Sequence, residues 1–560
     1  MEAIEHSVTL SPPVLVPPQP GVFQSNAWGD FFLTVKPMPS TEHESLRKRI
    51  EELKDVIRKK LKDAGADQLR SLEMIDAIQH LGVAYHFGLE IDEALERIQK
   101  AGFHRNNDPH TVALGFRLLR QRRFPISSDI FNKFIDQNGN LADNMKQDAK
   151  TLLSIYDASF LGIPGEQLLE KAANFTRTHL KLLVESMDPS ADTTVSRALE
   201  TPRFRRMERL ESREYLQVYG QEKNRNEELF ELAKLDFHLV QSIHLEELQN
   251  LTLWKKSIKL MENFSFARER LVELHFWMIG TYYEQCYSRA RVMATKLLVL
   301  TSILDDIYDQ YGTHEELQLL TDTIDRWDLM GVDLLPKYLH HFCTVLYKTF
   351  QEFEDELALE QNSFRVRYLK EEMKKLAHAY FDEVQWGNEQ FVPNVEDHLR
   401  VSLRSCAYPM LACGSLVGMN EMIPQHVFDW ITEFPVIIKA SSFICRVMND
   451  ITSDEHEQTD KHFASIVKSY AKDYKCKEEE ARKNLMELVE DAWKILNEEY
   501  LLHSNLPVFL VQPIINLARV MELFYKDKDN YTNPFSSMRD NIKLVIVEPI
   551  ISQWTPFATI

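Results

Sequence analysis

The stretch TEHESLRKRIEELKDVIRKKLKDAG, residues 41–65, indicates how this chain folds. Its apolar side chains recur three or four positions apart, at Ile50, Leu53, Ile57 and Leu61. That spacing places them along one face of a helix. Thr41 followed by Glu44 fits an N-terminal capping box, and Gly65 fits a stop. The stretch therefore predicts an amphipathic helix.

The same helical periodicity recurs along the whole chain. Examples are SLEMIDAIQHLGVAY (71–85), IDEALERIQKAG (91–102), EELFELAKLDFHLVQSIHLEELQNL (227–251) and VQPIINLARVMELFY (511–525). The chain has only 17 glycines in 560 residues, and Asn-Gly or Asp-Gly turns between apolar runs are few. An all-α protein is predicted. No fixed-period repeat is evident, which argues against a solenoid.

Length and composition favour two helical domains. A chain of 560 residues is too long for one ordinary core. We expect a flexible, proline-rich arm at 1–24, an N-terminal helical domain at 25–233 and a C-terminal helical domain at 234–560. The boundary follows a segment, 187–225, that is rich in charge, Pro and Thr.

The charge balance limits the classes of partner. The formal net charge is −20, which argues against nucleic acid. An anionic substrate would need metal ions or placed arginines. The acidic start, MEAIEHSVTL, resembles neither a secretory signal nor a transit peptide, and no apolar run is long enough to cross a bilayer. The six cysteines form no CxxC pair. We expect a cytoplasmic monomer with reduced thiols.

A first acidic motif ends the apolar run ATKLLVLTSILDDIYDQYG, residues 294–312. Asp305 and Asp309 are four apart, so on a helix they share one face. Two carboxylates at that separation repel each other unless a cation lies between them. Mg²⁺ prefers oxygen ligands and commonly bridges carboxylates to phosphates. A solvated acidic helix end is the alternative interpretation of this motif taken alone.

A second motif, NDITSDEHE, occupies residues 449–457. Asn449, Ser453 and Glu457 stand four apart, which again places three oxygen ligands on one helical face. This motif also follows an apolar helix, FPVIIKASSFICRVM. Two such faces, each at the polar end of an apolar helix, predict a pocket that is apolar below and rimmed by metal above.

These two motifs resemble those of plant class I terpene synthases of the sesquiterpene type. The likeness extends, in the expected order, to SNAWGDFFL at 25, FRLLRQRRFPIS at 116, ALETPRFRRMERLESREYLQVY at 198, ELAKLDFHLVQ at 231 and FARERLVELHFWMIG at 266. It covers nearly the whole chain from about residue 25. It implies a C-terminal catalytic α-bundle with an apolar cavity. The N-terminal domain has no D-x-D-D motif and is expected to be catalytically silent.

The resemblance also implies roles for individual residues. The metal ligands would be Asp305, Asp309, Asn449, Ser453 and Glu457. They would hold a cluster of three Mg²⁺ ions, with Mn²⁺ as the alternative ion, on the diphosphate of a prenyl substrate. Arg446 matches an arginine that contacts the diphosphate. Arg268 and Arg270 match an R-x-R pair that draws the departing diphosphate away, and we expect them on a loop that closes over the site.

A carbocation left by diphosphate departure needs a dry pocket and aromatic faces. Trp277 is the first candidate for such a wall. Tyr525 and Tyr531, in FYKDKDNYTNP, resemble residues of the loop that covers the family's pocket, and Asp529 matches an aspartate of that loop.

Pro409, within SLRSCAYPMLACG at 402–414, adds a physical argument independent of the resemblance. A proline inside a helix removes one amide donor and frees the carbonyl four residues back, here that of Ser405. That carbonyl could face the pocket and stabilise a cation. Alternatively, water satisfies it at a simple kink.

The predicted substrate is farnesyl diphosphate. Relatives that form monoterpenes carry paired arginines ten residues ahead of the tryptophan that here is Trp28, whereas this chain has Pro18 and Gln19. A monoterpene synthase acting on geranyl diphosphate is the first alternative. A chain-elongating prenyltransferase and a non-enzymatic helical isoprenoid-binding protein are more distant ones.

Overall fold

Helices form the whole architecture of the computed structural model, which describes residues 26, 28–135, 141, 145–146, 148–186, 193–328, 331–453, 464–535 and 537–550. The N-terminal half contains α1 (Phe31–Thr34), α2 (Ser40–Asp63), α3 (Gln68–His80), α4 (Gly88–Ala101), α5 (Pro109–Gln121), α6 (Ala149–Ser159), α7 (Gln167–Ser186), α8 (Thr193–Glu200) and α9 (Glu208–Gln221). The C-terminal half contains α10 (Glu227–Ser257), α11 (Leu260–Asn263), α12 (Leu271–Thr281), α13 (Ser288–Asp306), α14 (His314–Arg326), α15 (Lys337–Ala358), α16 (Phe364–Asn388), α17 (Val395–Ser405), α18 (Tyr408–Val417), α19 (Gln425–Thr432), α20 (Val436–Ser453), α21 (Ile466–Tyr474), α22 (Glu478–Leu502), α23 (Val508–Phe524) and α24 (Ser537–Ile542).

Shorter helical turns complete the fold. The 3-10 turns are Ala64–Ala66, Ala84–His86, Phe103–Arg105, Ser128–Phe134, Arg203–Arg205, Gln285–Tyr287 and Val332–Leu334. The π-helical turns are Ile307–Tyr311 and Lys543–Val547. The described residues contain no β-strand, only an isolated bridge between Ile135 and Leu141. The all-α class is confirmed.

Helix α2 forms where the periodicity predicted it. Its apolar stripe is buried, with Leu46, Ile50, Leu53, Ile57 and Leu61 all at most 2% exposed. The predicted capping box is wrong. The helix begins at Ser40 after Pro39, so Thr41 already lies in the first turn and no side chain caps the end. A proline before the helix fixes the chain entry without a side-chain acceptor.

The division between the domains stays a prediction. The longest helix in the described ranges, α10, has 31 residues and passes position 233 without a break. The predicted arm at 1–24 lies outside the described residues. Within those ranges no helix has both the length and the apolar character needed to cross a bilayer.

The two halves share one apolar core and several polar contacts. One hydrophobic cluster contains buried side chains of both halves, from Trp28 to Ile546, and a smaller second cluster around Leu152 and Tyr156 lies in the N-terminal half. Arg205 of the N-terminal half holds Glu490 of α22 through two hydrogen bonds of 2.6 and 2.7 Å. Trp28 Nε1 donates to Glu273 Oε1 of α12 at 3.1 Å. The N-terminal half therefore contacts α22 and α12, which in turn pack against α20 and α13, the helices that carry the motifs.

Five helices of the C-terminal half pack in a closed order. Helix α12 contacts α13, α13 contacts α18, α18 contacts α20, α20 contacts α23, and α23 returns to α12. Helix α16 packs against α18 and against the π-helical turn after α13. Both predicted motifs lie at the C-terminal ends of helices in this ring, α13 and α20.

Asp157 of α6 is a buried carboxyl whose Oδ1 makes no hydrogen bond with the described residues. Burial raises its pKa to about 6, although Arg117 and Arg206 oppose that shift. Because the folded-state pKa lies above the unfolded one, the folded protein binds the extra proton at acidic pH. Stability from this group is therefore lost as pH rises through about 6.

We predict that Asp157→Asn raises the free energy of unfolding by about 2 kcal/mol at pH 8 and that the gain shrinks towards pH 4. Thermal unfolding from pH 4 to pH 8 measures this. Asp322→Asn, at an exposed position of α14, is the matched control and should change little at any pH. If Asp157→Asn changed the free energy of unfolding equally at pH 4 and pH 8, burial would not be what raises the pKa of Asp157.

Candidate active site

The first motif lies where the apolar helix α13 ends. The helix terminates at Asp306, and the chain continues as the π-helical turn Ile307–Tyr311, which the hydrogen bond from Gly312 N to Ile307 O closes at 2.9 Å. Asp305 and Asp309 are partly exposed, whereas Asp306 is 1% exposed. The local turn is thus π-helical rather than the predicted α-helical turn. Such turns are frequent at functional sites.

Arg268 ties this motif to the loop before α12. Its Nη2 lies 2.7 Å from Oδ2 of Asp305 and 2.8 Å from Oδ1 of Asp306. Its backbone N–H donates to Oδ2 of Asp306 at 2.7 Å. Burial raises the pKa of Asp306, and the guanidinium of Arg268 opposes that shift. Arg268, a largely but not fully buried arginine, therefore compensates the charge of both neighbouring carboxylates.

Arg270 and Asp529 fix the backbone of the loop after α23. Arg270 Nε donates to Tyr531 O at 2.9 Å, and its Nη2 donates to Thr532 O at 2.8 Å. Oδ1 of Asp529 accepts from the backbone N–H groups of Tyr531 and Thr532, at 2.9 and 2.8 Å. Both arginines of the R-x-R pair lie before α12, as predicted. Closure of that loop over the site stays a prediction.

Trp277 of α12 is the centre of an aromatic group. The ring centroids of its neighbours lie at 4.5 Å (Phe524), 6.2 Å (Tyr525), 6.3 Å (Tyr408) and 6.3 Å (Tyr531). Trp277 is 6% exposed, and its Nε1 makes no hydrogen bond with the described residues. Three helices, α12, α18 and α23, and the loop that follows α23 thus bring aromatic faces to one place.

Two tyrosines connect this group to the motif helices. The hydroxyl of Tyr531 hydrogen-bonds to Ser302 Oγ of α13, and its ring centroid lies 5.0 Å from the Arg268 guanidinium. Burial raises the pKa of Tyr525, with Asp529 and Cys445 of α20 beside its phenol. The aromatic group therefore reaches from the first motif to the helix of the second.

The described part of the second motif, residues 449–453, lies in α20. Arg446 Nη1 donates to Asn449 Oδ1 at 3.3 Å and to Asp450 Oδ1 at 3.0 Å. Asn449 Nδ2 donates to Ser453 Oγ at 3.2 Å, so these two side chains share one face as predicted. Burial opposes ionisation of Asp450, but Arg446 and His398 lower its pKa to about 2. Glu457 lies outside the described residues.

Helix α16 connects the two motifs through Tyr380 and Glu383. Burial, together with the carboxylates of Asp305 and Asp309, raises the pKa of the Tyr380 phenol. One turn later, Glu383 Oε1 accepts from Ser405 Oγ at 2.6 Å, and that hydroxyl accepts from Arg446 Nη2 at 3.0 Å. Both motifs therefore face the same stretch of α16.

Sequence reasoning missed Tyr380 and Glu383. Glu383 is buried enough that its carboxyl pKa is raised, while Arg446 opposes the shift. The available signal was an acidic residue close to apolar and aromatic ones in HAYFDEVQW, residues 378–386. That signal is weak, because it does not show which helix lies opposite.

Pro409 lies at the start of a helix and not in its interior, so the predicted kink is wrong. It occupies the first turn of α18, where a missing N–H costs nothing. The break falls between α17 and α18, and Ala407 adopts a left-handed conformation with φ of 65°. The Ser402 carbonyl at this break accepts from Arg446 Nε at 3.3 Å. A broken helix end therefore positions the arginine of the second motif.

Comparison with known proteins identifies the family. Residues 27–199 match the family described as "Terpene synthase, N-terminal domain", and residues 256–495 match "Terpene synthase family, metal binding domain". The chain is 42% identical to alpha-humulene synthase from Zingiber zerumbet over 529 residues, 94% of this chain and 96% of that protein. The chain belongs to the terpene synthase family. The class I type and the two-domain all-α layout predicted from the sequence are confirmed.

Other terpene synthases give the same result. Valencene synthase from Vitis vinifera is 43% identical over 534 residues, 94% of this chain and 96% of its own. The crystal structure of grey poplar isoprene synthase with three Mg²⁺ ions and dimethylallyl-S-thiolodiphosphate superposes with a TM-score of 0.85 at 32% identity. It covers 94% of this chain and 99% of that one. The family is metal-dependent, and its members are lyases that act on prenyl diphosphates.

The donor set of this terpene synthase fits a hard divalent ion. The first motif offers two partly exposed carboxylates, and the second offers amide and hydroxyl oxygens. Oxygen ligands suit Mg²⁺, whereas Zn²⁺ sites are built mainly from nitrogen and sulfur. Among the described residues no group of three or more His, Cys, Asp or Glu side chains forms a metal site.

A hollow in this terpene synthase lies away from both motifs. Its volume is about 500 Å³, and its lining comprises Arg47, Ile243, Gln285, Cys286 and Ser288. Ser288 starts α13, whereas Asp305 lies at its other end, roughly 25 Å away along the helix axis. This hollow holds none of the predicted site residues.

Proposed function

We propose that this terpene synthase is a sesquiterpene synthase that ionises farnesyl diphosphate, rearranges or cyclises the cation and releases diphosphate. The observation that carries the proposal is the meeting of both motifs at Tyr380 and Glu383, beside the aromatic group around Trp277. The high identity to a humulene and a valencene synthase supports the C15 substrate.

The diphosphate end of the substrate would be held at the rim of the ring. We propose that Asp305 and Asp309 on one side, and Asn449, Ser453 and Glu457 on the other, hold three Mg²⁺ ions, or Mn²⁺ in their place. Bound ions of this kind act as Lewis acids on the leaving oxygens. The isoprene synthase complex with three Mg²⁺ ions supports the number.

The arginines would bind the diphosphate, and the aromatic group would stabilise the cation. Arg268 and Arg446 present fixed forks of N–H donors to phosphate oxygens. Arg270 holds the backbone of the 531–532 segment, which places Tyr531 over Arg268. Trp277 and Tyr525 offer aromatic faces, each worth about 0.5–2 kcal/mol to a cation. Their burial excludes the water that would quench it.

Assay of the full chain with farnesyl and geranyl diphosphate, with Mg²⁺ or with EDTA, tests the proposal. We expect Mg²⁺-dependent release of inorganic diphosphate and a C15 product in gas chromatography from farnesyl diphosphate, with lower turnover of geranyl diphosphate. Preferred turnover of geranyl diphosphate would mean a monoterpene synthase. Longer diphosphates formed with isopentenyl diphosphate would mean an elongating prenyltransferase, and no release would mean a binding protein. The cytoplasmic location and the monomeric state stay predictions.

A further inference from the structure

A buried aspartate directly follows a proposed metal ligand in each motif. Asp306 follows Asp305, and Asp450 follows Asn449. Asp306 is 1% exposed and Asp450 is 9% exposed, so neither carboxylate is as open to an incoming ion as Asp305. The proposed function assigns no role to either of them.

Each of the two aspartates faces an arginine with one carboxylate oxygen and accepts a backbone N–H with the other. In the first motif, Oδ1 of Asp306 lies 2.8 Å from Arg268 Nη2, and Oδ2 accepts from the backbone N–H of Arg268 at 2.7 Å. In the second motif, Oδ1 of Asp450 accepts from Arg446 Nη1 at 3.0 Å, and Oδ2 accepts from the backbone N–H of Ile466 at 2.8 Å. One oxygen holds an arginine, and the other is fixed by the main chain.

Each of these arginines also occupies a proposed ligand oxygen. The same Nη2 of Arg268 lies 2.7 Å from Oδ2 of Asp305. The same Nη1 of Arg446 lies 3.3 Å from Oδ1 of Asn449. One guanidinium nitrogen is therefore shared between a ligand oxygen and the buried aspartate that follows it, in both motifs.

We propose that Asp306 and Asp450 are positioning residues that retain Arg268 and Arg446 when a divalent ion takes the oxygen of Asp305 or Asn449. This inference rests on the proposed function. A ligand oxygen can bind the ion only after it releases the arginine. A buried guanidinium without a counter-charge is costly, so a second carboxylate that keeps it makes the exchange favourable.

If Asp306 loses its charge, Arg268 should compete more strongly with the ion for Asp305, and ion binding should therefore weaken. In Asp306→Asn the amide oxygen keeps a backbone contact, but the side chain no longer neutralises Arg268. Asp305 is then the nearest carboxylate left to Arg268, which competes with the ion for it. Simple loss of one negative charge would also weaken ion binding, so the single variant does not separate the two causes.

A double-mutant cycle separates them. Electron paramagnetic resonance of free Mn²⁺ gives the Mn²⁺ affinity without substrate for wild type, Asp306→Asn, Arg268→Gln and the double variant. We expect Asp306→Asn alone to weaken Mn²⁺ binding roughly tenfold. In the Arg268→Gln background the same substitution should change it less than about twofold, because no arginine is left to compete. The inference would be overturned if Asp306→Asn weakened Mn²⁺ binding equally in both backgrounds, or if it did not weaken Mn²⁺ binding in the wild-type background.

The second motif supplies an independent cycle with Asp450→Asn and Arg446→Gln, which decides the question if Asp306→Asn does not fold. Asp157→Asn, a buried aspartate of α6, is the matched control and should leave Mn²⁺ affinity unchanged. Absence of Mn²⁺ binding by the wild type would also overturn the inference. Diphosphate release from farnesyl diphosphate by the wild type is measured in parallel. If release occurs but the cycles are additive, only this inference fails; if no release occurs, the proposed function fails.

Discussion

Asp305→Ala is expected to lower kcat for farnesyl diphosphate at least about 10³-fold, because metal-assisted departure of the diphosphate supplies several kcal/mol. The side chain is partly exposed at the end of α13, so its removal leaves no cavity in the core. Helicity should therefore be unchanged. Steady-state release of inorganic diphosphate, together with far-ultraviolet circular dichroism, measures both expectations.

Asp322→Ala is the matched control for this variant. Asp322 is an exposed aspartate on the next helix, α14, where it accepts a hydrogen bond of 2.9 Å from Gln318. It should retain wild-type turnover. The motif also predicts that Glu457→Ala behaves as Asp305→Ala does. Turnover by Asp305→Ala within tenfold of wild type would remove Asp305 from the metal site.

Arg446→Ala is expected to lower kcat by about 10²–10³-fold and to lower the melting temperature as well. The side chain reaches Ser402 O, Ser405 Oγ, Asn449 Oδ1 and Asp450 Oδ1, so it both positions the second motif and faces the diphosphate site. Its loss leaves the Asp450 carboxylate buried without its closest cation, a change that typically costs about 3–5 kcal/mol.

Arg446→Lys separates charge from geometry. A lysine keeps the positive charge but cannot reproduce the planar fork, so we expect turnover between those of wild type and Arg446→Ala. Arg400→Ala, an exposed arginine on α17, is the control and should change neither turnover nor melting temperature by much. Kinetics must be measured well below the melting temperature of each variant. Full turnover by Arg446→Ala would show that this arginine has no part in catalysis.

Local sequence patterns predicted the elements that depend on nearby residues. The stripe from Ile50 to Leu61 in α2 is set by helical spacing alone, and the structure buries it. The contact between Asn449 and Ser453 follows from the same geometry. The helix ends were less predictable. Pro39 directly precedes α2, where the sequence suggested a capping box, and Pro409 lies in the first turn of α18, where it suggested a kink.

Contacts between distant segments could not be predicted in this way. Tyr380 and Glu383 matter because α16 packs beside both motifs, and nothing in the segment HAYFDEVQW indicates which elements α16 contacts. The shared guanidinium of Arg268 likewise depends on a loop 37 residues before Asp305. Such proximity results from tertiary packing, whereas periodicity reports only on one helix at a time.

Anomalous diffraction from crystals grown with Mn²⁺ and a farnesyl thiolodiphosphate analogue tests the central claim most directly. The account predicts Mn²⁺ peaks bound by Asp305 and Asp309 on one side and by Asn449 and Ser453 on the other, with the analogue's diphosphate between them. Crystals in which the analogue lies against the aromatic group around Trp277 while the Mn²⁺ ions bind at only one motif, or at neither, would contradict this claim.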